Sequence, residues 1–356
     1  MSRSPNPDII FKFKQQIIGG KYDQTQFLPS ERMLAREFGV GRGVIQTALR
    51  QLQKDGIIQL VPKRGACLSK SEIAQNAHPF KRLLVWYHRS FPASADECIG
   101  LLSGICAAAA ENYAEAITSF APVRHSADEI VERFRRGELQ GVIYDEECDA
   151  PQTIRRLTSA GVPWVLCNHE GTCDAVMSRM DFREIGRIAA RRLIQANHKK
   201  IAVIAGPLDK FIYQEILKGF RGALAEENIP LAAACILQYA NPAEVTQNDA
   251  PVRELFSRDD RPTAVFTMRD NRAEILFGVC RTLAIEIPGD VSVISYDDVS
   301  WPAGRNFLTT VREPVDVLGR AAVELLHHWF MTGKRPQNRV IQGELVERSS
   351  IRTLLR

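Results

Sequence analysis

The stretch Pro29-Ser30-Glu31-Arg32-Met33-Leu34-Ala35-Arg36-Glu37-Phe38-Gly39-Val40-Gly41-Arg42-Gly43-Val44-Ile45-Gln46-Thr47-Ala48-Leu49-Arg50-Gln51-Leu52 holds two runs of helical period separated by a glycine turn. Ser30 is placed to cap the first run, because its hydroxyl can accept a backbone N–H of the opening turn. Met33, Leu34 and Phe38 share one face of that helix, and Gly39 ends it by accepting the left-handed conformation. In the second run Val44, Ile45, Ala48, Leu49 and Leu52 form one apolar stripe, with Gly56 as its stop. Arg42, Gln46, Thr47, Arg50 and Gln53 fall on the opposite face. Two helices joined by a short glycine-containing turn form the helix-turn-helix unit, whose second helix is the one placed in the major groove of DNA.

Upstream, Asp8 is placed to cap an earlier helix that carries Ile9, Phe13 and Ile17 and ends at Gly19-Gly20. Downstream, Ile57 to Val61 is β-prone, Pro62-Lys63-Arg64-Gly65 reads as a tight basic turn, and Ala66 to Ser69 returns as a second strand. The three helices thus acquire a wing. Charge follows the same division: residues 1 to 80 hold twelve Lys or Arg against six Asp or Glu, a net +6, whereas residues 81 to 356 hold 34 against 36, a net −2. A basic module ahead of a nearly neutral one is the footprint of a part that meets a polyanion, the plain alternative being a solvated basic face.

Residues 70 to 80 lack periodicity and run into Pro79, so the linker is placed there, between a domain over 1–69 and a larger one over 81–356. In the larger part strands and helices alternate. Strands are expected over Leu83 to Tyr87, Ala116 to Phe120, Gly141 to Tyr144, Pro163 to Cys167, Ile201 to Ala205, Ala264 to Phe266 and Val291 to Ser295. Helices are expected over Asp96 to Asn112, Ser126 to Arg136, Pro151 to Ala160, Phe182 to Gln195 and Phe211 to Glu227. Repeated βαβ units with fully apolar strands imply doubly wound parallel sheets, and these strands are too many for one small sheet. Two α/β lobes with a cleft at the strand carboxyl ends, where such folds bind ligands, are the economical arrangement.

Eight cysteines without a C-x-x-C pair, several inside apolar runs, read as small buried hydrophobes in a reducing compartment. No run approaches the roughly 18 to 20 apolar residues of a membrane span, and Met1-Ser2-Arg3-Ser4-Pro5 does not lead into a secretory core, so a cytoplasmic location is expected. His327 and His328 are adjacent on an expected helix and do not share a face, a poor spacing for a metal. No metal or cofactor is expected.

The motif Leu28-Pro29-Ser30-Glu31-Arg32-x-Leu34-Ala35, followed by Phe38-Gly39-Val40-x-Arg42, Ala48-Leu49-x-x-Leu52, Gly56 and Gly65, resembles the GntR-type winged helix over about residues 8 to 69. That resemblance implies DNA contacts from Arg32 and Arg42 and a wing tip, here Lys63, Arg64 and Gly65, that enters the minor groove. Gln46 and Thr47 complete the candidate DNA-binding set. Arginine reads guanine bidentately or holds phosphate, and glycine lets the wing backbone approach closely. Two positions depart from the family: Gly41 stands where Ser or Thr is usual, and Gln46 where Arg is usual. The second change exchanges a guanine or phosphate reader for one suited to adenine, so a different operator sequence is expected.

The tail carries a second resemblance. Ile287-Pro288-x-Asp290-Val291-Ser292-Val293-Ile294-Ser295-Tyr296-Asp297-Asp298, then Leu308-Thr309-Thr310-Val311, Pro314, Leu318-Gly319 and Glu344-Leu345-Val346-x-Arg348, is similar to the LacI/GalR effector domain, a periplasmic-binding-protein-like fold. Asp181, Gly186, Ala205-Gly206-Pro207 and Gly219-Phe220 fit the same family. By that analogy the chain crosses between lobes three times, lobe one holds about 81–178 and 313–337, lobe two about 179–312 and 338–356, and lobe one mediates dimerisation. The resemblance gives Asp297 the task of accepting ligand hydroxyls, which suits a carboxylate that takes two at once. Arg269 stands where an Asn is usual, Asn168 where an Asp is frequent, and Ile216 where an arginine is usual. Arg269 is either a reader of an acidic ligand group or the partner of a local carboxylate such as Asp270. Asp96, in a Ser94 to Glu97 segment that lacks the family's aromatic platform, completes the effector-binding candidates with Asp297, Arg269 and Asn168.

A GntR-type head on a LacI-type body resembles arabinose-repressor-like regulators. It implies a ligand-responsive, DNA-binding repressor of a carbohydrate-utilisation operon, a homodimer on operator DNA, with a small polar effector such as a sugar or sugar derivative. The alternative is an enzyme or a transport-type binding protein built on the two lobes, the head serving protein interaction. No G-x-G-x-x-G, Walker A or G-x-S-x-G motif supports the enzyme, and no catalytic residue is assigned.

Overall fold

The computed structural model describes residues 7–18, 21–22, 27–54, 57–62, 64–68, 80–87, 95–120, 126–144, 151–167, 175–239, 248–298 and 306–355. The head opens with α1 (Pro7–Ile18), α2 (Glu31–Glu37) and α3 (Arg42–Lys54), and continues into β1 (Ile58–Val61) and β2 (Gly65–Leu68). The first helix starts at Pro7, so Asp8 lies inside its opening turn and is not the cap that the sequence suggests. Proline is at home there, because the first helical N–H needs no intrahelical acceptor. Ser30 does cap α2, its Oγ accepting the Met33 N–H at 3.4 Å. Gly39 takes φ +65° after it, and the turn closes with the Val40 N–H on the Ala35 carbonyl at 3.0 Å. Phe13, Leu34, Ile45, Leu52 and Ile58 interlock in one core, and this burial sets the crossing of α2 on α3.

The wing is an antiparallel pair with Ile58 opposite Leu68 and Val61 opposite Gly65. Gly65, at φ +106°, makes its tight turn possible, since only glycine adopts that conformation without strain.

The larger part holds two six-stranded sheets. Sheet one takes β3 (Arg82–Tyr87), β4 (Glu115–Phe120), β5 (Val142–Tyr144), β6 (Trp164–Cys167), β7 (Met177–Met180) and β13 (Arg339–Ile341), in the order β13-β7-β6-β5-β3-β4, all parallel. Sheet two takes β8 (Ile201–Ala205), β9 (Ile236–Gln238), β10 (Ala264–Thr267), β11 (Ser292–Asp297), β12 (Thr309–Arg312) and β14 (Glu344–Val346), in the order β14-β12-β11-β10-β8-β9. Only β14 runs antiparallel to its neighbour among these strands. The residues of β6, β8 and β10 are buried throughout, as strands covered by helices on both faces must be.

Helices α4 (Ala95–Glu111), α5 (Ala127–Arg135), α6 (Pro151–Ser159) and α11 (Val315–Thr332) accompany sheet one; α7 (Phe182–Gln195), α8 (Phe211–Glu226), α9 (Ala250–Phe256) and α10 (Ala273–Thr282) accompany sheet two. The chain passes between the sheets after β7, after β12 and after β13. Strand Arg339–Ile341 lies in sheet one, whereas the sequence places everything from 338 onward in lobe two. Three residues, two of them exposed, are too few to show a pattern, and only pairing to β7 assigns them. Two of the crossings are tied together: the Asp181 N–H donates to the Ile341 carbonyl at 2.9 Å, and the Asp181 carboxylate caps α7 through the Glu184 N–H at 3.0 Å.

His198 is buried beside lobe two's sheet, its Nε2 donating to the Arg352 carbonyl at 3.1 Å and its Nδ1 3.0 Å from Thr263 Oγ1. Burial, above all, holds its pKa below the ordinary histidine value, and the Arg352 and Arg192 charges push the same way. The unfolded chain therefore binds this proton at a higher pH than the folded one. Stability from His198 is fully present above about pH 6.5 and is lost as pH falls through the depressed folded value. We expect the urea midpoint to drop on going from pH 7 to pH 5, and the drop to be smaller in His198→Gln; equal slopes in the two proteins would show that other groups carry it.

Candidate DNA-binding surface and effector site

On the head, Arg32 is exposed on α2 and Arg42 and Gln46 are exposed on α3. Thr47 is half-buried and its hydroxyl donates to the Gly43 carbonyl at 2.9 Å, which leaves only its acceptor lone pairs for another partner. Arg64 is exposed at the wing turn next to Gly65, while Lys63 lies outside the described residues. Glu31, quoted in the motif but given no role by sequence, organises this surface. Its Oε2 accepts from Gln46 Nε2 at 2.8 Å and stands 3.5 Å from Arg42 Nη2. One carboxylate at the start of α2 thus orients the two polar side chains at the front of α3.

In the body, the described part of the site is the carboxyl end of lobe two's strands. Arg269 follows β10 and Asp297 ends β11; because these strands are parallel neighbours, their ends lie side by side and Arg269 Nη1 reaches Asp297 Oδ2 at 3.4 Å. Both residues have left-handed backbones, φ +119° and +120°, conformations that cost about 1–3 kcal/mol outside glycine and that cluster at ligand clamps and switch regions. The alternative pairing of Arg269 with Asp270 is not the one adopted. Asp270 turns into the sheet, where it is buried and accepts from Thr310 Oγ1 at 3.1 Å on β12. Asp298 points away from Asp297, held by Arg348 at 2.6 Å and Arg312 at 2.8 Å. The two adjacent acids do not form a pair that could work on one reacting centre.

Two residues that the sequence did not single out join Arg269 and Asp297. Arg272, three residues on, is buried with its guanidinium 5.0 Å from the centre of the Tyr213 ring. Tyr213, on the first turn of α8, lies against Gly206 at the end of β8; a Cβ on Gly206 would fall 2.3 Å from the ring. The signal for both was positional: they follow β10 and β8 at the end where α/β sheets bind ligands. Tyr296, beneath Arg269 with 5.9 Å from ring centre to guanidinium carbon, donates its hydroxyl to Glu313 at the second crossing between lobes. A change at Asp297 or Arg269 is therefore one side chain away from the hinge. Asn168 lies outside the described residues; Asp96 sits in the first turn of α4 with its side chain outside them. Ile216 is buried, and its backbone carbonyl packs against Gly186 of α7.

Among the described residues no helix is long and apolar enough to cross a membrane, and no group of three or more His, Cys, Asp or Glu could hold a metal.

The winged helix and the paired parallel lobes have known counterparts. Residues 8–68 match the family described as bacterial regulatory proteins, gntR family, and residues 190–351 match a periplasmic binding protein-like domain. Together they define a class, the ligand-responsive DNA-binding regulators. Within it, this chain is 25% identical over 327 residues to the arabinose metabolism transcriptional repressor of Geobacillus stearothermophilus, covering 87% of this chain and 86% of that one. It is 32% identical over 172 residues to the transcriptional repressor PurR of Photobacterium profundum, 48% of this chain and 51% of the relative, so here the match spans about half the relative's length. The fold is shared with a LacI-family regulatory protein from Chloroflexus aggregans, TM-score 0.65 at 22% identity over 77% of this chain and 99% of that one. It is shared too with the regulator CelR in complex with cellobiose, TM-score 0.61 at 23% identity over 91% and 100%.

Proposed function

We propose that this protein represses genes of carbohydrate use, binding operator DNA as a homodimer through its winged helix and responding to a sugar or sugar-derived effector held between its lobes. The observation that carries the reading is a single alignment: the likeness to the arabinose metabolism repressor runs through both head and body. The cellobiose complex of a protein with the same fold supports a sugar-like ligand. Arg32, Arg42, Gln46, Thr47, Lys63, Arg64 and Gly65 would meet DNA, and Asp297, Arg269, Asn168 and Asp96 the effector. A two-fold dimer would read half-sites about one helical turn, or a multiple of it, apart. The likeness to transcriptional repressors supports a sensor over an enzyme. A cytoplasmic place fits that task.

An effector acts only if it binds the two states of the dimer unequally. The test is binding of the purified chain to duplexes from its own upstream region, over a salt series, with and without sugars. Sequence-selective, salt-sensitive binding that one sugar shifts supports the regulator; equal binding to every duplex, unmoved by sugars, returns the head to a protein-interaction role.

Glu31→Ala should separate affinity from selectivity. Removing a negative charge beside Arg42 and Gln46 takes away a repulsion toward phosphate and also the anchor that orients both side chains. Affinity for a scrambled duplex is expected to rise, and the ratio of operator to scrambled affinity to fall about fivefold to tenfold, in line with the roughly 1–3 kcal/mol that one oriented base contact supplies. Anisotropy titrations on the two duplexes measure both; an unchanged ratio would mean that Glu31 orients nothing in the complex.

A further inference from the structure

Arg272 is 3% exposed, and among the described residues no carboxylate lies within ion-pair distance of it. Its Nη1 donates to the Met268 carbonyl at 3.1 Å, the Tyr213 ring covers the guanidinium, and its Nε has no hydrogen-bond partner among those residues. A cation buried without a counter-charge is strongly unfavourable, and burial here works against the charged form of Arg272 with only Tyr213 and Asp297 in its favour. Arg269 adds a second guanidinium at the same strand ends, about a quarter exposed. The acids around them are committed elsewhere: Asp270 to Thr310, Asp298 to Arg312 and Arg348, Glu313 to Tyr296. Among the described residues Asp297 is the acid that reaches Arg269, and it does so at 3.4 Å, a long contact.

We infer that lobe two contains an anion subsite made by Arg269 and Arg272 beside Tyr213, and that the effector is an acidic small molecule, a sugar or similar polyol bearing a carboxylate or phosphate. The inference rests on the sensor reading above and narrows its ligand. An anionic oxygen supplies the ion-pair partner that Arg272 lacks among the described residues and takes charge-assisted hydrogen bonds from Arg269. As Arg269 turns from Asp297 to the anion, the Asp297 carboxylate is released to accept ligand hydroxyls. One ligand then contacts all three side chains. A neutral sugar offers hydroxyls to Asp297 but leaves Arg272 uncompensated.

The test is calorimetric titration of the purified full chain with glucose, gluconate, glucuronate, glucose 6-phosphate and inorganic phosphate, each repeated with Arg269→Gln and Arg269→Lys. Operator binding is measured on the same preparations. At least one acid or phosphate is expected to bind ten times or more tighter than glucose, to weaken as salt rises, to lose about tenfold in Arg269→Gln and to recover in part in Arg269→Lys. Binding of gluconate or glucuronate alone assigns a carboxylate; binding of glucose 6-phosphate or inorganic phosphate alone assigns a phosphate. Because Arg272 is buried, its variants are judged only where circular dichroism shows the native fold, and Arg269 carries the test. Glucose binding as tightly as its acids, an anion affinity indifferent to Arg269→Gln, or no anion binding while operator binding is intact would each overturn the subsite and leave the regulator standing. Anion binding in a preparation that does not select its operator would keep the subsite and sink the regulator.

Discussion

Arg42→Ala is expected to weaken operator binding about 10- to 100-fold at fixed salt, the loss of one bidentate guanine contact or its equivalent. The side chain stands at the first position of α3 with two-thirds of its surface exposed, and the 3.5 Å contact with Glu31 is a long one that orients it without keeping it from DNA. The variant should fold normally. Helix α3 is anchored by Ile45, Ala48, Leu49 and Leu52, all buried on the other side, and an alanine at its first turn favours the helix. Salt titration separates two ways of losing affinity: a lost base contact lowers binding to the operator far more than to a scrambled duplex, whereas a lost phosphate contact lowers both and reduces the salt slope by about one. Unchanged operator affinity in a folded variant would remove Arg42 from the interface and with it the main support for α3 as the reading helix.

The second large effect is on stability. Helices α7 and α8 cross where Gly186 and Gly219 face each other's backbones: a Cβ on Gly219 would stand 1.8 Å from the Arg183 carbonyl oxygen, and one on Gly186 1.9 Å from that of Ile216. These are backbone atoms, so no rotamer change relieves the overlap and the helices must move apart. Phe220 is the next residue, fully buried and stacked on Phe266 of β10 at 4.9 Å, which carries the displacement into lobe two's sheet. Gly219→Ala should cost about 3 kcal/mol, the upper part of the range for overpacking a core, and lower Tm by about 2–4 °C for each kcal/mol in a domain of this size. Gly222, on the exposed side of the same helix with open space around it, is the internal control. There alanine should stabilise by up to about 1 kcal/mol, because it relieves the conformational entropy that glycine loses in a helix. Both changes are read by thermal and urea unfolding; opposite signs are the expected outcome, and a neutral Gly219→Ala would show that the helix pair is looser than its geometry implies.

Much of this molecule was written in local pattern. The helix-turn-helix was legible because an apolar stripe, a serine cap and glycine stops agree over a few residues, and capping and periodicity act within a single turn of chain. The buried strands of both lobes were equally plain: Ile201 to Ala205 and Pro163 to Cys167 are continuous apolar runs that only a sheet covered on both faces accommodates. Asp297 and Arg269 could be named as candidates through the resemblance to the LacI/GalR effector domain, whose motif places them. What local pattern could not contain was pairing between distant segments. Strand Arg339–Ile341 joins sheet one through β7, over 150 residues earlier in the chain, and its three residues carry no signal of that choice. The partner of Arg269 was decided in the same way: Asp270 is its neighbour in sequence, but β10 and β11 bring Asp297 alongside and turn Asp270 toward Thr310. Arg272 and Tyr213 carry no local signal of their own, and they meet because the sheet sets the ends of β8 and β10 side by side. Sequence determined the elements and their chemistry, since propensity and periodicity are short-ranged; the tertiary structure alone decided which charges meet, because packing of parallel strands fixes neighbours without regard to their separation along the chain.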